Sequence, residues 1–139
     1  MENTPVSSFK FLNFIVEESN FKQKPGEKGE YKVNLAPRGI LFKTEKVFQL
    51  DLIVEISEPN DNFSAKIHAV GIFSFKDVIQ QEDLGNYFYV NAPAIIFPYV
   101  RAHVATLSAL SGSDELINLP PLNVVSLKNE LEKNTIEKE

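Results

Sequence analysis

The sequence predicts an α+β domain in which the four strands of an antiparallel sheet are followed by a long helix and a short one. Three observations carry this. KVFQLDLIVEIS alternates Phe48, Leu50, Leu52, Val54 and Ile56 with Gln49, Asp51, Ile53 and Glu55, the period of two of a strand with one apolar face. After the turn EPNDN, FSAKIHAVGIFSF places Phe63, Ala65, Ile67, Ala69, Phe73 and Phe75 on one face, so the two segments form an antiparallel hairpin. From Asn91 onward the period becomes about three and a half, with Phe97, Val100, Val104 and Leu107 on one helical stripe.

Taken in order, residues 1–8 are polar around Pro5 and are expected to be flexible, and the folded domain is expected to span 9–131. In SSFKFLNFIVEE the apolar positions fit neither period, while their aromatic and β-branched character favours a bulged strand with two covered faces. Pro25, Gly26 and Gly29 punctuate a polar loop, and a short strand from Tyr31 to Leu35 is expected to end near Pro37. Gly71, inside the second hairpin strand, predicts a bulge or a close approach by another backbone. Asn91 is the expected cap of the long helix, Pro93 suits its first turn and Gly112 its end. Pro98 lies too deep for a regular helix and predicts a kink or a restart. After the apolar loop LINLPPLNVV, Asn123 is the expected cap of a helix reaching Leu131, and residues 132–139 are expected to form a flexible tail.

The 139 residues suffice for one domain. Nineteen acidic against fourteen basic side chains give a net charge of −5 and no basic stripe, which argues against nucleic acid as a partner. Without cysteine there is no disulfide, thiolate metal site or cysteine nucleophile. MENTPVSSF lacks the basic segment and apolar core of an export signal, and no run approaches the ~18 apolar residues of a membrane span. A cytoplasmic protein with no direct membrane insertion is therefore expected.

Chemistry-bearing motifs are sparse. His68 and His103 have no second ligand at metal-binding spacing, and Ser111, Gly112, Ser113 and Asp114 read as a helix terminus rather than a nucleophile elbow. Neither GxxxxGK nor GxGxxG occurs, so neither an enzyme nor a cofactor is expected. Aromatic side chains are abundant instead, with eleven Phe and four Tyr. Phe21, Phe42, Leu116, Ile117, Leu119 and Leu122 fall outside the predicted elements, where they either pack inward or meet a partner.

IIFPYVRAHVATLSALSG followed by LINLPPLNVVSL resembles the signature region of the SecB family of export chaperones, with Phe97, Pro98, Tyr99, Arg101, Gly112, Leu119, Pro121 and Asn123 at its pattern positions. GIFSF, residues 71–75, resembles the end of a long strand in that family, and the similarity extends over residues 9–131. It implies the fold predicted above and a homotetramer, a dimer of dimers with the long helices at its centre. Val100, Arg101, His103, Val104 and Leu107 would then lie at or near subunit contacts. The implied activity is to hold unfolded precursor proteins without ATP and deliver them to the SecA motor. The apolar residues outside the predicted elements, Phe21, Phe42, Leu116, Ile117, Leu119 and Leu122, are the expected client contacts, and the resemblance makes Glu18 the expected acidic contact to SecA.

Two departures matter. Lys22 and Lys66 stand where the family presents acids, and Glu27 stands where a groove aromatic is expected. They leave two alternatives: a SecB-like chaperone dedicated to one client, such as an antitoxin, or a scaffold that keeps the fold without chaperoning.

Overall fold

The structure is a computed structural model that describes residues 9–76, 85–112, 117–121 and 123–139. Strands β1 (Phe9–Gln23), β2 (Lys32–Phe42), β3 (Val47–Ser57) and β4 (Phe63–Phe75) are followed by a π-helical turn (Tyr87–Asn91) that runs into helix α1 (Ala92–Leu110). Helix α2 (Val124–Lys133) and a short β5 (Thr135–Lys138) complete the chain. The sheet order is β1-β4-β3-β2-β5, antiparallel throughout except for β5, which pairs parallel to β2. The α+β class and the two helices are as the sequence predicts, and the sheet has five strands rather than four.

The alternating residues of β3 and β4 form the floor of the core. Phe48, Leu50, Leu52, Val54 and Ile56 face Phe73, Gly71, Ala69, Ile67 and Ala65 across the ladder. Over them lie Ile96, Val100 and Val104 of α1, Ile117 and Leu119 of the following loop, and Leu127 and Leu131 of α2. Gly71 is required by the close approach of α1, because a Cβ there would sit 2.6 Å from the Ile96 side chain. Its register shows no bulge on the β3 side.

The bulges belong to β1. Its register against β4 shifts between Phe11 and Asn13 and again between Val16 and Glu18. Each extra residue flips the alternation, which is why FKFLNFIVEE obeys no single period. Phe9, Phe11, Phe14 and Val16 nevertheless all pack against the core.

Three expectations are corrected. Strand β2 continues through Pro37 to Phe42, because β5 pairs only with Gly39–Phe42 and Pro37 therefore lies where β2 has one neighbour, not two. Residues 132–139, expected as a tail, finish α2 and form β5, which Lys43 and Glu137 pin with an ion pair of 2.8 Å. Asn91 does not cap: its backbone is helical, with no side-chain hydrogen bond, because the π-helical turn leads into α1. At Pro98 the helix does not restart; Pro98 and Ala94, whose carbonyl loses its bond there, both face outward, where water can replace it. Gly112 (φ 77°) ends α1 and the Asn123 side chain accepts from Ser126 N–H at 3.1 Å, both as expected. Residues 1–8 lie outside the described residues.

Candidate client and partner surfaces

Helix α1 presents four sides with different chemistry. Its inner side is core: Val100 and Val104 are 0 % exposed, so they meet the chain's own sheet and leave nothing for a partner, contrary to their expected place in a subunit contact. The flank toward β1 carries His103, whose Nε2 lies 3.1 Å from the Ser19 hydroxyl, and Tyr99. On the other flank Arg101 donates to the Pro120 carbonyl at 3.4 Å and its guanidinium lies 5.2 Å from the Phe97 ring centre, so it braces the loop after α1. Ser108, fully buried, donates to the Ala105 carbonyl at 2.8 Å and accepts from Ile117 N–H at 3.1 Å, which pins the same loop. Leu107 is half-buried.

The outward side of α1 carries Pro98, Ala102, Ala105 and Ala109, spaced four, three and four residues apart. This is the spacing of a helix–helix seam, and its small side chains let a second helix come close.

A row of partly open aromatic rings lines the junction of β1 and α1. Phe9 stacks on Phe73 at 5.1 Å, Phe11 lies 5.4 Å from Phe73 and 5.6 Å from Tyr99, and Phe14 stacks on Tyr99 at 5.2 Å. Tyr99 is 49 % exposed although apolar rings surround it. No local pattern announces this row, because Phe14 and Tyr99 are 85 residues apart in sequence and the bulges hide the period. The FPY signature containing Tyr99 was its one visible sign.

The expected client contacts do not form one groove. Ile117 and Leu119 are 2 % and 4 % exposed and belong to the core, because Ser108 and Arg101 draw their loop onto the sheet. Phe21 is half-buried, edge-on to Phe63 at 4.8 Å, on the helix-covered face. Phe42 is half-buried on the opposite face and toward the other end of the sheet, as its pairing with Val47 requires. Leu116 and Leu122 lie outside the described residues.

The open face of the sheet holds Glu18, Lys22 and Lys66 together, as cross-strand register dictates. At its centre is a polar network among apolar neighbours. Asp51, 9 % exposed, accepts from Gln49 Nε2 at 2.8 Å and lies 2.7 Å from His68 Nε2. Glu17 approaches the other ring nitrogen of His68 at 3.7 Å, and Arg38 reaches Asp51 at 4.0 Å. His68 has no polar partner nearby in sequence, since its partners come from adjacent strands.

The family described as preprotein translocase subunit SecB matches residues 11–134. An uncharacterised protein of Methanocaldococcus jannaschii is 28 % identical over 142 residues, covering 96 % of this chain and 90 % of that protein. The protein-export protein SecB of Buchnera aphidicola is 32 % identical over 97 residues, covering 68 % of this chain and 61 % of that protein. Among solved structures, a Mycobacterium tuberculosis SecB-like chaperone in complex with a ChAD peptide from an antitoxin superposes with a TM-score of 0.70 at 14 % identity, covering 85 % of this chain and 90 % of that one. With the family match running from the first strand through the last helix, this chain belongs to the SecB family.

Proposed function

We propose that this SecB-family protein is an ATP-independent chaperone that holds apolar segments of non-native polypeptides along the aromatic row of β1 and α1. The observation that carries the reading is the Phe11–Tyr99–Phe14 row, open to solvent beside β1, an edge strand of the sheet. Half-open rings offer contact area to many sequences without a fixed polar constellation. Phe21 extends the apolar surface along the same strand and the same face. In this reading the protein works in the cytoplasm as a homotetramer joined through the outward side of α1.

The test is suppression of aggregation of a chemically unfolded client, without nucleotide. Each aromatic buried by a client contributes about 1.5–3 kcal/mol, so Tyr99→Ser together with Phe21→Ser should weaken client affinity more than about tenfold. A double variant that still melts cooperatively and protects as well as the parent would refute the aromatic row as the client surface. A parent chain that protects no client would favour a scaffold role.

A second reading, a chaperone dedicated to one client, is favoured by the charge on the open face. A basic docking segment of SecA would meet Glu18 favourably, but Lys22 and Lys66 repel it. Binding to the SecA of the same organism is expected to be weak and to strengthen about tenfold when Lys22→Glu and Lys66→Glu are combined. Tight binding by the parent, weakened by that pair, would restore general export as the better reading.

A further inference from the structure

At the end of the open face next to the β1–β2 and β3–β4 connections lies a hollow of about 630 Å³. Strand register builds its floor. Lys22, Ser64, Ser57 and Lys32 form one row across β1, β4, β3 and β2, and Lys66 faces Glu55 in the row beside it. Three lysines against one acid make a concentrated positive patch on a chain whose net charge is −5. No carboxylate of the described residues lies within ion-pair distance of Lys22, Lys32 or Lys66, whereas the neighbouring Lys24 is engaged by Asp61 at 4.0 Å.

The lysines rise from a fixed base. Glu58, in the β3–β4 turn, accepts Gly29 N–H at 2.8 Å, and Asn60 and Asn62 donate to the Glu27 carbonyl at 2.9 and 2.7 Å, so the two connections are tied together beside the hollow. Adjacent strands are about 4.8 Å apart, which puts Lys22 and Lys32, three spacings across, at about 14 Å. An extended peptide rises about 3.3 Å per residue, so its side chains at i and i+4 are about 13 Å apart. A chain laid across the four strands therefore matches the two outer lysines with residues i and i+4, and an acid between them comes within reach of Lys66.

We propose that this hollow docks an extended acidic segment of a partner protein, with carboxylates on alternate residues. Opposite charge across a concave, hydroxyl-lined surface supplies both attraction and register. A single nucleic-acid strand also carries spaced anions, but none of the residues lining the hollow is aromatic, so nothing there stacks a base. The site is on the opposite face of the sheet from the Phe11–Tyr99 row and stands whether or not that row holds clients.

The experiment uses the full chain and a fluorescein-labelled ten-residue peptide of alternating Glu and Ser, which has no apolar residue for the client surface. Fluorescence anisotropy should show binding at low salt that weakens at 0.15 M salt, and no binding of the matching Lys–Ser peptide. Lys22→Glu with Lys66→Glu should reduce affinity at least about tenfold, while Lys10→Glu, on the same face at the far end of β1, should leave it within about twofold. Failure of the acidic peptide to bind at low salt would overturn the proposal, as would equal binding by both variants. Tighter binding of a ten-nucleotide oligothymidine than of the peptide would assign the hollow to nucleic acid instead.

Discussion

Replacing Val104 by Asp is expected to unfold the protomer, whereas replacing Ala102 by Glu, two residues away, is expected to split the proposed homotetramer and leave each protomer folded. Val104 is 0 % exposed within the apolar core, and the buried polar or charged residues among those described, Asp51, Glu58 and Ser108, include no cation to pair with a carboxylate. An unpaired buried charge there costs about 4 kcal/mol or more, set against a total stability on the order of 5–15 kcal/mol. Ala102 is exposed in the middle of the Pro98–Ala102–Ala105–Ala109 seam. A glutamate at that position is harmless in water and costly between two closely packed helices. Circular dichroism should show no cooperative melt for Val104→Asp and a retained one for Ala102→Glu. Light scattering should give the parent about four times 15.7 kDa and the Ala102 variant half that mass or less. An Ala102→Glu protein that keeps the parent's mass would place the subunit contact elsewhere than on this seam.

The contrast between these two positions marks what the sequence could convey. A stripe such as Phe97, Val100, Val104 and Leu107 identifies an apolar side of a helix, and it is silent on whether its own sheet or a second subunit covers it. The sheet takes it here, and the seam that remains outward consists of alanines and a proline, too small to register as a hydrophobic signal. Strands β3 and β4 were legible because both alternate strictly and one face is buried. Strand β1 was legible only as a bulged strand, since each of its bulges reverses the alternation. Strand β5 left no pattern: four residues with one isoleucine are ordered by the parallel ladder to Gly39–Phe42, a contact set by the rest of the fold. The same reason separates the candidate surfaces. The family resemblance singles out Glu18, Lys22 and Lys66, which share a face, while Lys32 joins them only through register. Ile117 and Leu119 were misplaced because an apolar loop residue looks alike whether it is exposed or drawn inward, and the Ser108 and Arg101 hydrogen bonds that draw this loop inward span sequence gaps no local pattern records.

Substituting Glu58 by Gln is expected to lower the melting temperature at neutral pH by on the order of 5 °C or more and to flatten the loss of stability in acid. Glu58 is buried in the β3–β4 turn, and its two oxygens accept four backbone N–H groups: Gly29 at 2.8 Å and Asn60 at 3.1 Å on Oε1, Asn62 at 2.5 Å and Phe63 at 3.1 Å on Oε2. Burial by itself would raise its pKa, but the hydrogen bonds from Gly29, Asn62, Asn60 and Phe63 together outweigh it and hold the carboxyl below the ordinary 4.5. A carboxyl whose pKa is lower when folded than when unfolded stabilises the fold above its unfolded value, and that contribution is lost as pH falls through the folded one. The amide of Gln can accept on one oxygen only, so two of the four N–H groups lose their acceptor at every pH, and the titration disappears. Melting curves from pH 7 down to 3 for parent and variant measure both effects. If the two proteins lose stability in parallel below pH 4.5, Glu58 is not the group that titrates. If they melt alike at pH 7, the four N–H groups do not depend on its charge, and the base beneath Lys22 and Lys32 is held by the Asn60 and Asn62 contacts to Glu27 instead.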